Sequence, residues 1–101
     1  MLGERTRLKP ISKKRAAERR QRAALVAQVT ARGCEAAVLV PGVACGGPID
    51  CHEVIPRSAW AKGYLELSNL RAVCRQHHSW IDEHPILAHD VGLHGFSWER
   101  E

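Results

Sequence analysis

Cys34, Cys45, Cys74 and His77 restrict what this chain can fold into more than any other feature of its sequence. Cys74 and His77 are separated by two residues, so a single turn can present both to one ion. Zinc accepts a Cys3His set in tetrahedral geometry, and in a small unit its binding energy becomes folding energy. The ten residues between Cys34 and Cys45 are a longer interval than such sites usually show; Pro41, Gly42 and Gly46 permit a closed loop without requiring one. Reduced core cysteines and a disulfide are the competing readings. Cys51 makes the cysteine count even, at four, which permits disulfides. Nothing suggests secretion, however, and a reducing cytosol favours thiolates on metal or buried thiols.

The rest of the composition adds to the case for a staple. A chain of 101 residues is expected to form one domain with a small core, and such domains often need a metal, a disulfide or a partner. Aromatic residues make up 5%, and the hydrophobic 45% leans on alanine, so the core is thin. No run approaches the length of about 18 apolar residues that a membrane span needs. The basic N-terminus leads into no apolar segment with a cleavage site, so it does not read as a secretory signal. The expected location is the cytoplasm.

The net charge of +4 conceals an asymmetry: residues 1–22 carry nine Arg and Lys against two Glu, whereas the remainder has an acidic excess. Counterion release would draw such a segment to nucleic acid without sequence preference. A solubilising tail followed by a solvated helix face is the plainer reading. Residues 1–11 are expected to be a flexible basic arm, and residues 12–101 a single domain. Ser12 is a suitable N-cap for a helix to about Thr30, with Gly33 as its stop. Ala16, Ala23, Leu25, Ala27 and Val29 form a weak apolar stripe, and Arg15, Arg19 and Arg22 a basic side expected to be exposed.

Beyond Gly33, residues 36–40 have the makings of a short strand, and residues 49–55 of another that ends at Pro56. A loop over 57–68 with a helical turn near Trp60 leads to a strand at 70–73 and a helix at 75–83, which Pro85 breaks. Residues 86–90 are expected to form a turn, with Leu93, Phe96 and Trp98 packing back as a tail. Alternation along the strand puts Cys51 opposite His52 and toward the core.

A second constellation consists of His52, Glu53, Asn69 and His78. Taken singly, His52, Asn69 and His78 have ordinary explanations: a hydrogen-bonded strand histidine, a turn-capping asparagine and a solvent-facing histidine. Together they sit at the end of a strand and the start of a helix, where side chains can converge on a second ion.

The text from about Cys34 to Pro85 resembles the HNH endonuclease family, in the small phage-type variants whose first strand carries His-Glu. The resemblance rests on CHEVIPRS at 51–58, SNLRAVCRQHHSWIDEHP at 68–85 and the spaced cysteines before them, and it covers about half of the chain. The trailing HPILAHDVGL is also similar to these phage proteins. The resemblance implies a small α+β fold built on a ββα-metal (His-Me finger) unit, with an N-terminal helix and a structural zinc on Cys34, Cys45, Cys74 and His77. It implies that His52 and His78 hold a catalytic divalent ion (Mg2+, Mn2+, Ni2+ or Zn2+) and that Asn69 organises the intervening loop. Glu53 falls where most members have the histidine that activates water. A carboxylate is the weaker base near neutral pH, so Glu53 as base competes with Glu53 as a further ligand, with His52 as the base and with loss of hydrolysis.

The implied activity is metal-dependent hydrolysis of DNA phosphodiesters. Arg57 and the basic residues Lys13, Lys14, Arg15, Arg19 and Arg22 would then contact DNA. The phage resemblance adds the host cytoplasm as location, and terminase or other packaging proteins as partners. A zinc-stapled nucleic-acid-binding module without catalysis is the alternative.

Overall fold

The computed structural model describes residues 12–99, so the expected basic arm at 1–11 lies outside the described residues. Helix α1 spans Lys13–Thr30, strand β1 Ile49–Glu53, strand β2 Leu70–Cys74, helix α2 Arg75–Glu83 and helix α3 Pro85–Asp90. Short 3-10 turns occupy Gly63–Leu65, Leu67–Asn69 and Ser97–Glu99. The result is a small α+β fold. No helix among the described residues is long and apolar enough to cross a membrane.

The strands pair antiparallel, with Ile49 opposite Cys74, Cys51 opposite Ala72 and Glu53 opposite Leu70. Because side chains alternate along a strand, Ile49, Cys51 and Glu53 share one face with Leu70 and Ala72, while Asp50 and His52 share the other with Val73. The first face packs on α1 through Val29, Leu70 and Ala72, with Leu25, Ile49 and Cys51 beside them. The second face carries the other half of the core, in which Val73 meets Ala36, Ile81, Ala88 and Leu93. A two-stranded sheet is too small to stand alone, and here it is covered from both sides.

Ser12 caps α1 as expected, its hydroxyl oxygen accepting from the Arg15 N–H at 3.1 Å. The packed face keeps Leu25 and Val29 of the expected stripe but not Ala23 and Ala27. Ala23 and Ala27 are exposed; Leu25 and Val29 pack on the sheet, Arg22 reaches Tyr64 and Glu53, Glu18 pairs with Lys62, and only Val29 is fully buried. Three methyl-sized side chains bury too little area to orient a helix against Leu25 and Val29.

Residues 35–39 form a turn where a strand was expected, closed by the Leu39 and Val40 N–H groups bonding the Ala36 carbonyl at 3.1 and 2.8 Å. Glu35 takes the free edge of β2 instead. Its own N–H bonds the Ala72 carbonyl at 2.7 Å, and its carboxylate accepts from the Ala72 N–H at 2.7 Å. Residues 86–90, expected as a turn, belong to helix α3, with Pro85 in its first turn where the missing N–H costs nothing. Leu93 is buried, but Trp98 is 77% exposed and stacks on Phe96 at 4.9 Å rather than entering the core.

Strand β1 ends at Glu53, two residues before the expected limit, because a side chain replaces the ladder there. Asn69, 4% exposed, accepts from the Ile55 N–H at 2.8 Å and donates to the carbonyls of Ile55 at 3.0 Å and Gly63 at 3.2 Å. A Cβ on Gly63 would lie 2.7 Å from the Asn69 amide nitrogen and 2.9 Å from the Trp60 ring, so only glycine allows this closure. Asn69 therefore holds the whole segment between the strands. Asn69→Ala leaves buried backbone groups without partners and is expected to lower stability by about 3 kcal/mol. Urea unfolding would show this as a lower midpoint at unchanged slope; a change under about 0.5 kcal/mol would contradict the assignment.

Candidate metal centres

Four segments meet at the first site. Cys34 follows the Gly33 stop of α1, Cys45 lies in the loop before β1, Cys74 ends β2, and His77 stands in the first turn of α2. Their ligand atoms all lie within 4.8 Å of one another, which makes them a group able to hold a metal ion. The His77 Nδ1 is 3.5, 3.6 and 3.1 Å from the sulfurs of Cys34, Cys45 and Cys74. Tetrahedral zinc with ordinary Zn–S and Zn–N bonds sets an N···S edge of about 3.5 Å, so the donor set and its spacing fit that ion.

The surrounding backbone supports the same reading. The His77 Nε2–H donates to the Val40 carbonyl at 3.3 Å, which leaves the Nδ1 lone pair aimed at the sulfurs. Sulfur acceptors draw in backbone N–H groups: Cys74 to Cys34 at 3.3 Å, and both Gly46 and His77 to Cys74 at 3.4 Å. Burial by itself would raise the Cys74 thiol, but those N–H groups and the His77 ring bring it down to about 6. Desolvation together with the adjoining Cys34 and Cys74 sulfurs pushes Cys45 up to about 11. Several thiolates cannot share so small a space without a cation, and a divalent ion removes that conflict.

The loop that delivers Cys45 also caps α2. The Arg75 N–H bonds the Pro48 carbonyl at 2.9 Å and the Gln76 N–H the Gly46 carbonyl at 3.0 Å, satisfying donors that a helix start leaves over. Gly47 has φ +80°, and a Cβ there would lie 2.7 Å from that of Arg75. The cysteine loop, the strand end and the helix start are thus one locked corner.

On the α2 face of the sheet, His52 and His78 come together with ring centroids 5.2 Å apart. The His52 Nε2–H donates to the Leu93 carbonyl at 2.6 Å, leaving Nδ1 as its lone-pair nitrogen. Burial lowers the His52 pKa below its usual 6.5, so the ring is neutral at neutral pH. The His78 Nδ1–H donates to Asp50 at 3.0 Å, leaving Nε2 as its lone-pair nitrogen. Arg75 grips Asp50 with two bonds of 2.8 and 3.0 Å, and this pairing with His78 beside it holds the Asp50 carboxyl down at about 2. Asp50 was not among the expected site residues. It stands two positions before His52, and that spacing on a strand was the available signal.

Glu53 stands apart from both histidines. It lies on the α1 face, where its carboxylate accepts from Arg22 at 3.4 Å and from Arg57 at 3.1–3.2 Å. Among the described residues no set of three acidic, cysteine or histidine ligands other than the Cys3His group converges as closely, so Glu53 does not complete a triad with His52 and His78. Its expected roles as base or ligand there are corrected by the alternation of the strand. Asn69 sits away from the ring pair too, as the loop lock described above. Lys13, Lys14, Arg15 and Arg19 are exposed on α1, while Arg22 is half-buried and donates to the Tyr64 carbonyl at 2.8 Å as well as to Glu53.

Native mass spectrometry is expected to find one tightly held zinc ion per chain, and a chelator strong enough to remove it should abolish cooperative unfolding. Cys74→Ser should do the same without a chelator. A metal-free chain that unfolds cooperatively would contradict the site.

The chain matches no family model, no curated protein and no solved structure.

Proposed function

We propose that this protein is a divalent-metal-dependent DNA endonuclease, with a structural zinc on Cys34, Cys45, Cys74 and His77 and a catalytic ion on His52 and His78. The observation that carries the proposal is the state of the two histidines. Each has one ring nitrogen engaged by an acceptor, Leu93 for His52 and Asp50 for His78, and one nitrogen left with a lone pair. Histidines that hold metals are oriented in this way, with the other N–H given to a carbonyl or carboxylate. The resemblance of residues 34–85 to HNH endonucleases points to the same pair, and the order β1, β2, α2 suits a ββα-metal unit.

A divalent ion held by His52 and His78 would supply Lewis-acid stabilisation of charge on phosphate oxygens and would lower the pKa of bound water. Mg2+, Mn2+, Ni2+ and Zn2+ all suit imidazole with water and phosphate oxygen to some degree. The protein's own residues do the rest. His52 and His78 offer their lone pairs, Asp50 fixes the rotation of the His78 ring, and Arg75 fixes Asp50. The corner at Cys74 and His77 sets where α2 starts, and hence where His78 lies. Lys13, Lys14, Arg15 and Arg19 give DNA a positively charged approach that needs no sequence. A role beside a phage terminase, in a host cytoplasm, belongs to the same proposal and rests on the resemblance alone.

A second reading is favoured by one observation. The Cys3His set is the one group among the described residues with three or more close ligand atoms, whereas the histidine pair offers two. That suits a zinc-stapled nucleic-acid-binding module without catalysis. Supercoiled plasmid incubated with Mg2+, Mn2+ or Ni2+ separates the two. The native protein is expected to nick it, His52→Ala and His78→Ala to be inactive, and Asp50→Asn to lose about 10- to 100-fold through weaker metal binding. Plasmid binding without nicking under every ion would leave the binding module.

A further inference from the structure

A cleft of about 540 Å3 lies between α1 and the Gly63–Leu65 turn, lined by Arg15, Glu18, Arg19, Arg22, Arg57 and Tyr64. Four guanidinium groups around one cavity attract an anion. Within the protein Glu53 supplies part of it, bridging Arg22 at 3.4 Å and Arg57 at 3.1 Å. Glu18 pairs with Lys62 at 3.2 Å.

The two arginines that Glu53 bridges are also held without it. The Tyr64 carbonyl accepts from Arg22 at 2.8 Å, and the guanidinium of Arg57 stacks over the Tyr64 ring at 4.6 Å from its centre. One residue, Tyr64, therefore contacts both forks independently of the carboxylate between them. A carboxylate between two guanidinium groups has the charge and the paired oxygens of a phosphodiester, which such forks bind with comparable geometry. Arg15 and Arg19 continue the line along α1. From Arg15 to Arg22 the helix rises about 10 Å, roughly three nucleotide steps of one DNA strand.

We infer that this cleft is a binding site for backbone phosphates of nucleic acid, and that Glu53 is its internal stand-in, occupying the Arg22–Arg57 slot until a phosphate displaces it. Glu53 thereby sets affinity through competition, on the face of the sheet opposite the histidine pair. The inference rests on the nucleic-acid reading of the protein, but it concerns binding and not hydrolysis.

Binding of a fluorescein-labelled mixed-sequence duplex of about 20 base pairs, with no divalent ion added, tests it across a range of salt. Glu53→Gln is expected to tighten binding about threefold, because the competing charge is removed. Arg57→Gln should weaken binding about three- to tenfold and reduce the salt slope by about one. The Arg15→Gln/Arg19→Gln double variant, altered only at exposed positions, should reduce the slope by about two and guards against misfolding of the others. Inorganic phosphate is expected to compete no better than sodium chloride of equal ionic strength, which assigns the slot to a polymer backbone. Unchanged affinity and slope in all three variants would overturn the inference, as would displacement of the duplex by phosphate well beyond the ionic-strength effect. Absence of plasmid nicking would leave these binding results intact, so the two readings fail separately.

Discussion

The corner where Cys34, Cys45, Cys74 and His77 meet is the constraint on which the rest of the structure depends. It joins the end of α1, the loop before β1, the end of β2 and the start of α2 through four side chains. Without an ion the same corner holds three sulfurs that repel as thiolates, and a core too thin to fix the elements. The buried apolar residues are mostly small, and Ile55, Leu70, Ile81 and Leu93 are the largest among them. Burying so few large side chains gives little margin against chain entropy. A metal that binds only the folded chain moves that balance by its whole binding free energy.

The second organising fact is that the two-stranded sheet has two faces and the chain places different polar groups on each. Asp50 and His52 face α2, where the ring of His78 arrives one residue after His77 of the Cys3His group. Cys51 and Glu53 face α1, where Arg22 descends from the helix. Neighbours in sequence thus meet separate partners. The proposed catalytic ion and the proposed phosphate cleft lie on opposite sides of β1, connected through one peptide.

Much of this was legible from residues alone, for identifiable reasons. The helix from Lys13 to Thr30 follows from its serine cap and glycine stop, and the Cys3His set from the two-residue gap between Cys74 and His77. Asn69 as the organiser of the loop came from resemblance, and its three hydrogen bonds give that role its physical content. What escaped depends on distant partners. The Leu93 and Val40 carbonyls that orient His52 and His77 are backbone atoms with no side-chain signature. The turn at 35–39 could not be told from a strand by its short apolar run, because the deciding contact is Glu35 on the edge of β2. Glu53 is more instructive. The alternation that puts Cys51 opposite His52 puts Glu53 there too, and the correct side was within reach of the same rule.

X-ray absorption at the zinc edge of the purified protein tests the central claim most directly, because it reads the ligands of the ion itself. The account expects one zinc per chain with three sulfur neighbours at about 2.3 Å and one imidazole nitrogen at about 2.0 Å. A first shell of oxygen and nitrogen only, or a chain that carries no zinc yet keeps its fold, would contradict it.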